Sequence, residues 1–222
     1  MARITVVGGT GYAGGHIVRE AASRGHEVTA VSRSIPAEQV EGVNYVAADV
    51  QDATSLAGLI EGADVVVGAL APRGPLEGKL EGLVANIAEA ARAAGARFGI
   101  VGGAGSLLVA PEGPAFVDTP DFSDDYKPEA RTMVTILGEL RASDESLDWF
   151  MVSPAGDFGP WVEGEHTGTF RLGGDVILTD ENGKSAISGA DADGPSASAR
   201  PMRSSAPMRS WSAACTMSRD CA

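Results

Sequence analysis

Ile4-Thr5-Val6-Val7-Gly8-Gly9-Thr10-Gly11-Tyr12-Ala13-Gly14 decides the fold. A short β-branched run suits the central strand of a parallel sheet covered on both faces, and the glycines after it let the backbone turn sharply and come close to a pyrophosphate. A helix starting near Tyr12 then aims its unpaired N–H groups and positive dipole end at the phosphates. The spacing Gly8-x-x-Gly11-x-x-Gly14 is a variant of the dinucleotide fingerprint, distinct from G-x-G-x-x-G. Three glycines alone say little. Here a strand precedes them and an amphipathic helix follows, with Ile17, Val18, Ala21 and Ala22 on one side and Arg19, Glu20 and Arg24 on the other. Gly8, Thr10, Gly11, Tyr12, Ala13 and Gly14 are therefore expected to bind a cofactor; the plainer alternative is a tightly packed turn that binds nothing.

Working outward, 222 residues suffice for one sizeable α/β core, and 44% hydrophobic with 21% charged residues is ordinary for a globular chain. A formal net charge of −13 without a basic stripe argues against nucleic acid and anionic membrane surfaces as partners. No apolar run approaches a membrane span and no signal-type segment opens the chain, so the expected location is cytoplasmic. Cys215 and Cys221 lie close together near the end of the chain and lack metal-ligand spacing, so no metal is expected.

The second strand, residues 26–31, leads into Ser32 and Arg33. Ribose specificity is read at this point, where a carboxylate bonds the 2′-hydroxyl of NAD and an arginine accommodates the 2′-phosphate of NADP. With Ser32 and Arg33 and no carboxylate, NADP(H) is favoured over NAD(H); the bland alternative is a solvated loop arginine. A third strand over 43–47 brings Asp49 and Val50 beside the adenine, though Asp49 reads equally well as the N-terminal cap of a helix through Leu56, Leu59 and Ile60. A fourth strand over 63–70 ends at Ala69 and Leu70, near the cofactor, and a helix follows over 77–94. The fifth strand, 97–101, runs into Gly102-Gly103-Ala104-Gly105-Ser106, small residues that leave room for a flat ring such as nicotinamide against Gly103 and Ala104. An acidic loop precedes a helix from Pro128 to about Ser143, and a sixth strand, 147–152, is broken by Ser153-Pro154-Ala155, with Pro154 at the site. Residues 167–171 and 176–179 are expected to pair as short strands. Alternating strands and helices predict an α/β, doubly wound, mostly parallel sheet with helices on both faces.

The motifs Gly8-Gly9-Thr10-Gly11, Gly25-His26-Glu27-Val28-Thr29-Ala30-Val31-Ser32-Arg33, Val117-Asp118-Thr119-Pro120-Asp121-Phe122, Tyr126-Lys127-Pro128-Glu129-Ala130, Ser153-Pro154-Ala155 and Phe170-Arg171-Leu172-Gly173-Gly174-Asp175 carry a resemblance over about residues 1–188. The chain resembles the atypical short-chain dehydrogenase/reductases with an NAD(P)-binding Rossmann core. Within them it is similar to bacterial proteins provisionally described as NADH-flavin reductases, related to NmrA-like proteins and biliverdin reductase B. The resemblance implies NAD(P)H binding across the carboxyl ends of the strands and hydride transfer to a flavin or similar flat small-molecule acceptor. Conventional short-chain dehydrogenases use a serine and a tyrosine with a lysine four residues after the tyrosine. Here Ser106 and Tyr126 are the catalytic candidates, but Ala130 stands where the lysine belongs, so that acid–base couple is in doubt. A capping hydroxyl is an equal reading of Ser106. NmrA-like relatives keep a second class open, a non-catalytic NADP(H)-binding redox sensor. A monomer or weak homodimer is expected.

The domain reading is residues 1–187 as the Rossmann unit, with 154–187 as a substrate-side segment, and 188–222 as a low-complexity tail. That tail contains no Val, Leu, Ile, Phe or Tyr, so no core-facing helix or strand is expected from it. The plainer alternative is a natural disordered tail; back-translated from Pro201 through Arg219 with GC-rich codons and read from the last base of each codon, however, it can spell DAIERPDAFVERRVYDVA and then a stop, codon degeneracy leaving some freedom. That string looks like the end of an amphipathic helix, a charged turn and a short strand, so the last helix and strand of the fold are expected to be scrambled by a frameshift between residues 190 and 201.

Overall fold

A computed structural model describes residues 1–164, 171–189 and 210–214. Strand β1 (Arg3–Val7) leads into α1 (Tyr12–Ser23), followed by β2 (Glu27–Ser32), β3 (Val43–Ala47), α2 (Ala53–Ile60), β4 (Val65–Gly68), α3 (Leu80–Ala93), β5 (Arg97–Val101), α4 (Lys127–Ala142), β6 (Trp149–Ser153), β7 (Arg171–Gly173) and β8 (Ser210–Ala214). The sheet order is β3-β2-β1-β4-β5-β6-β8-β7, parallel except for the last pair. The doubly wound Rossmann architecture is thus as expected. Its order reverses at β1, between β2 and β4, which opens a crevice above their carboxyl ends.

Strand period two divides the core into two layers. Ile4 and Val6 face α1, where Ile17, Val18 and Ala21 cover them along with Val28, Ala30 and Val67. Val7 faces the opposite layer, built from Leu56 and Ile60 of α2, Leu83 and Ile87 of α3, and Ile136 and Leu140 of α4 over Phe98 and Met151. Burying each such side chain contributes about 1.5–3 kcal/mol, so helix positions follow from where the apolar stripes meet the sheet. At the amino end, Arg3 locks β1 to the start of β4, its backbone N–H donating to Asp64 Oδ2 at 2.7 Å and its Nη2 to Oδ1 at 3.0 Å.

Three local expectations change. Helix α2 starts at Ala53, and its first-turn partner is Asp52, whose carbonyl accepts from Leu56 N–H and whose Oδ2 accepts from Ser55 Oγ at 2.5 Å. Asp49 is not that cap. Its Oδ1 accepts from Gln51 N–H at 3.0 Å, closing a turn immediately after β3. Residues 176–179 do not pair with β7: Val176 bridges to Leu108, and β7 pairs antiparallel with β8. Most of the expected strand 167–171 lies outside the described residues. The tail, from which no strand was expected, supplies β8, with Met151, Val152 and Ser153 of β6 opposite Ser210, Trp211 and Ser212. Residues 190–201, Cys215 and Cys221 lie outside the described residues.

Candidate functional site

The crevice is built where β1 and β4 separate. Gly8 N–H and Gly9 N–H both donate to the Val31 carbonyl, at 2.8 and 3.1 Å, and Ala69 N–H donates to the Val7 carbonyl at 2.8 Å. These bonds hold the glycine turn between the ends of β2 and β4. The glycines divide by what a side chain would meet. A Cβ on Gly8, whose φ is +87°, would lie 2.3 Å from the Ala69 carbonyl oxygen, and one on Gly14 would lie 2.1 Å from the Gly8 carbonyl oxygen. Both are required by the fold itself. A Cβ on Gly11 would meet nothing closer than 3.3 Å, has an ordinary extended backbone (φ −71°, ψ 173°), and belongs to an exposed residue.

Gly11 is also the residue before the first turn of α1, and no side chain caps that end. Gly15 N–H donates to the Gly11 carbonyl at 2.7 Å, while among the described residues the N–H groups of Thr10, Tyr12 and Ala13 have no backbone acceptor. Open space, free donors and the helix dipole coincide there, a combination that suits a pyrophosphate. Tyr12 offers only its backbone to that site. Its ring packs edge-on against His16 and Phe158, with centroids 5.0 and 5.3 Å away, and its hydroxyl accepts from Gly189 N–H at 3.1 Å.

A second opening lies at the end of β5. A Cβ on Gly102 would strike Met151 and Ser153 Oγ within 2.9 Å, and one on Gly105 would come to 2.8 Å from Ala130 Cβ on α4. Gly103 between them has nothing within 4 Å of its Cβ position. Ser106 Oγ donates to the Gly103 carbonyl at 3.0 Å and lies 3.5 Å from Ser153 Oγ. Ser153 is buried at the end of β6, followed by the buried Pro154. Ala69 and Leu70 are half-buried on the β4 side, Ala104 is buried, and Val50 packs its side chain on the α2–α3 layer. Tyr126 stands just before α4 with 57% of its surface exposed, and its hydroxyl makes no hydrogen bond to Ser106. Ser32 donates to the Ser34 carbonyl at 2.6 Å, and Arg33 projects from an exposed position directly after β2.

A model of the NAD(P)H-binding family matches residues 8–191, from the first glycine of the turn to beyond the last described residue of the substrate-side segment. The chain belongs to this NAD(P)H-binding family. Among family-like relatives, the uncharacterized protein YwnB of Bacillus subtilis is 37% identical over 191 residues, covering 85% of this chain and 87% of YwnB. A crystal structure from Burkholderia pseudomallei, provisionally described as an exported protein, superposes with a TM-score of 0.83 at 38% identity over 96% of this chain and all of its own. A Streptococcus pneumoniae structure provisionally described as an NADH-flavin reductase gives 0.76 at 32% identity, with 96% and 99% covered.

For a member of this NAD(P)H-binding family, the residues at both openings fit a dinucleotide: a cradle that a Cβ at Gly11 would fill, and a bare backbone floor at Gly103. Two participants were missed from sequence. Ser153 was read as a strand breaker, although a serine ending an otherwise apolar strand at the crevice side was the available signal. The contact of Phe158 with Tyr12 depends on tertiary folding that no local pattern announces. A groove of about 260 Å³ between the carboxyl halves of α3 and α4, floored by Val84, Ala88, Ile136 and Leu140, lies at the opposite end of the sheet from the nucleotide crevice.

Proposed function

We propose that this chain is an NADPH-dependent reductase whose acceptor is a flavin or a similarly flat molecule, of the kind named in the Streptococcus relative. The observation that carries it is Gly103. Its surroundings provide an open floor at the end of β5, with no described atom within 4 Å of its Cβ position. The Ser106 proton is directed to the Gly103 carbonyl, and Tyr126 has Ala130 four residues on where a dehydrogenase lysine would stand. A carbonyl substrate would need a general acid; a flavin would not. When bound, NADPH supplies a hydride and leaves as NADP⁺, and a reduced flavin takes its proton from solvent.

The protein's own work is to hold two planar groups. The free N–H groups of Thr10, Tyr12 and Ala13 bind the diphosphate. Gly103 and the buried Ser153–Pro154 segment set the floor of the ring pocket and exclude water from it. Arg33 selects the phosphorylated cofactor: losing a charge-assisted contact of this type costs about 1.5–3 kcal/mol, roughly ten- to a hundredfold in affinity. Aerobic NADPH consumption with and without FMN is the test. Turnover that depends on added FMN supports the reductase. Tight NADPH binding with no turnover on FMN or a quinone supports the alternative, a non-catalytic NADP(H) sensor, which the missing tyrosine–lysine couple also fits.

A further inference from the structure

We propose that Arg19 is a second arm of the site that reads the adenosine 2′-phosphate, acting with Arg33 across the glycine turn. The proposal rests on the NADPH reading above. In a chain of net charge −13, arginines should find carboxylates easily, and most of the described ones do. Arg3, Arg24 and Arg92, for example, pair with Asp64, Glu20 and Glu89. The remaining pairs involve Arg73, Arg97, Arg131 and Arg141, and Arg171 donates to the Thr179 carbonyl at 2.8 Å. Among the described arginines, Arg19 and Arg33 alone have neither a carboxylate nor a hydrogen-bond acceptor.

Their placement is specific. Arg33 directly follows β2, and the Gly9 N–H bond to the Val31 carbonyl fixes the glycine turn against that same strand end. Arg19 lies on α1, one turn after Gly15. Its Nη1 is 3.6 Å from where a Gly15 Cβ would be, and that point is 3.9 Å from the Gly9 carbonyl oxygen. The guanidinium therefore folds back over Gly15 toward the glycine turn. Gly15 lies outside the Gly8-x-x-Gly11-x-x-Gly14 spacing, and the backbone does not require it: it has no positive φ and meets no atom closer than those two. What its missing side chain provides is a shelf for Arg19. One cation thus follows the strand end over which the ribose of a dinucleotide lies, the other reaches over Gly15 toward the turn bonded to that strand end, and a phosphate dianion is the chemistry that matches two guanidiniums without carboxylates.

Calorimetric titration of NADPH and NADH into wild type, Arg19→Ala, Arg33→Ala and the double variant tests the assignment. Arg19→Ala should weaken NADPH about three- to tenfold while leaving NADH unchanged, with the loss shrinking at high salt. Arg19→Lys should recover part of it. Gly15→Leu, which fills the shelf, should reproduce the selective loss. Arg92→Ala, which changes net charge equally on a distant helix face, should change neither affinity. Unaltered NADPH affinity in Arg19→Ala beside a clear loss in Arg33→Ala would overturn the second arm and leave the NADPH reading standing. Equal losses for both cofactors, or the same loss in Arg92→Ala, would also overturn it. Equal wild-type affinities, unaffected by Arg33→Ala, would remove the NADPH reading and the second arm together.

Discussion

Gly14 and Gly11 are three residues apart, share one motif, and serve different masters. Gly14 is small because the Gly8 carbonyl oxygen occupies the space its Cβ would take, and Gly11 is small although the protein leaves room beside it. Gly14→Ala should therefore lower stability by about 1–3 kcal/mol, read as a reduced Tm, because the overlap is with backbone that cannot rotate away. Its cofactor affinity should fall only in proportion to the unfolded fraction. Unchanged Tm in that variant would mean the turn is looser than drawn. Tyr126→Phe should leave NADPH turnover on FMN within about twofold, since removing a working general acid would cost on the order of a hundredfold or more. A loss of that size would reinstate Tyr126 as the proton donor. At this scale the tight turn was legible in Gly8 and Gly14, where residue type alone decides whether the backbone can close. Ser153 and the shelf at Gly15 were not legible, because both depend on which strand end or helix turn lies opposite.

Among the elements, the start of β1 and the start of β4 are joined by an exposed ion pair. The Asp64 carboxyl is held below its ordinary range, first by the hydrogen bond from the Arg3 side chain and then by the Arg3 backbone N–H. Asp144, in the turn after α4, is lowered by the Ser146 hydroxyl and backbone N–H. A carboxylate whose folded pKa is depressed contributes stability above its unfolded pKa and loses it as pH falls through the folded value. Thermal unfolding followed from pH 7 into the acid range should show Tm falling below the usual carboxylate range, and Asp64→Asn should flatten that acid limb while lowering Tm at pH 7. Parallel curves for the two proteins would show that the pair adds nothing. Element boundaries were readable wherever apolar spacing is strong, as in α3 and α4, expected over 77–94 and from Pro128 to about Ser143 and found at Leu80–Ala93 and Lys127–Ala142. They slipped where polar residues decide: the start of α2 belongs to Asp52 instead of Asp49, because two aspartates three apart both suit a cap and only packing of Leu56 and Ile60 chooses.

Over the whole molecule, the six strands β1 to β6 follow from alternation of strands and helices, and β7 and β8 do not. Ser210–Ala214 has one large apolar residue, so pattern gave no reason to expect it, yet the fold has a sheet edge beside β6 that the strand occupies. We propose that a frameshift upstream is the reason for that mismatch, since an alternative frame of GC-rich codons can place Val-Glu-Arg-Arg-Val at the same register. Resequencing the gene should recover DAIERPDAFVERRVYDVA as the natural ending, and the chain carrying it should unfold several kcal/mol harder than this one because apolar surface is restored to the edge. An intact frame, with amides of residues 210–214 protected in hydrogen exchange, would contradict this. If the turn from Gly8 to Gly14 cradles the diphosphate of NADPH, calorimetric titration of NADPH into wild type and Gly11→Val will separate the two proteins. Wild type should bind saturably and Gly11→Val not at all, with the variant's circular dichroism and Tm close to wild type, since the added side chain enters ligand space. Equal NADPH affinity in the two proteins would contradict it.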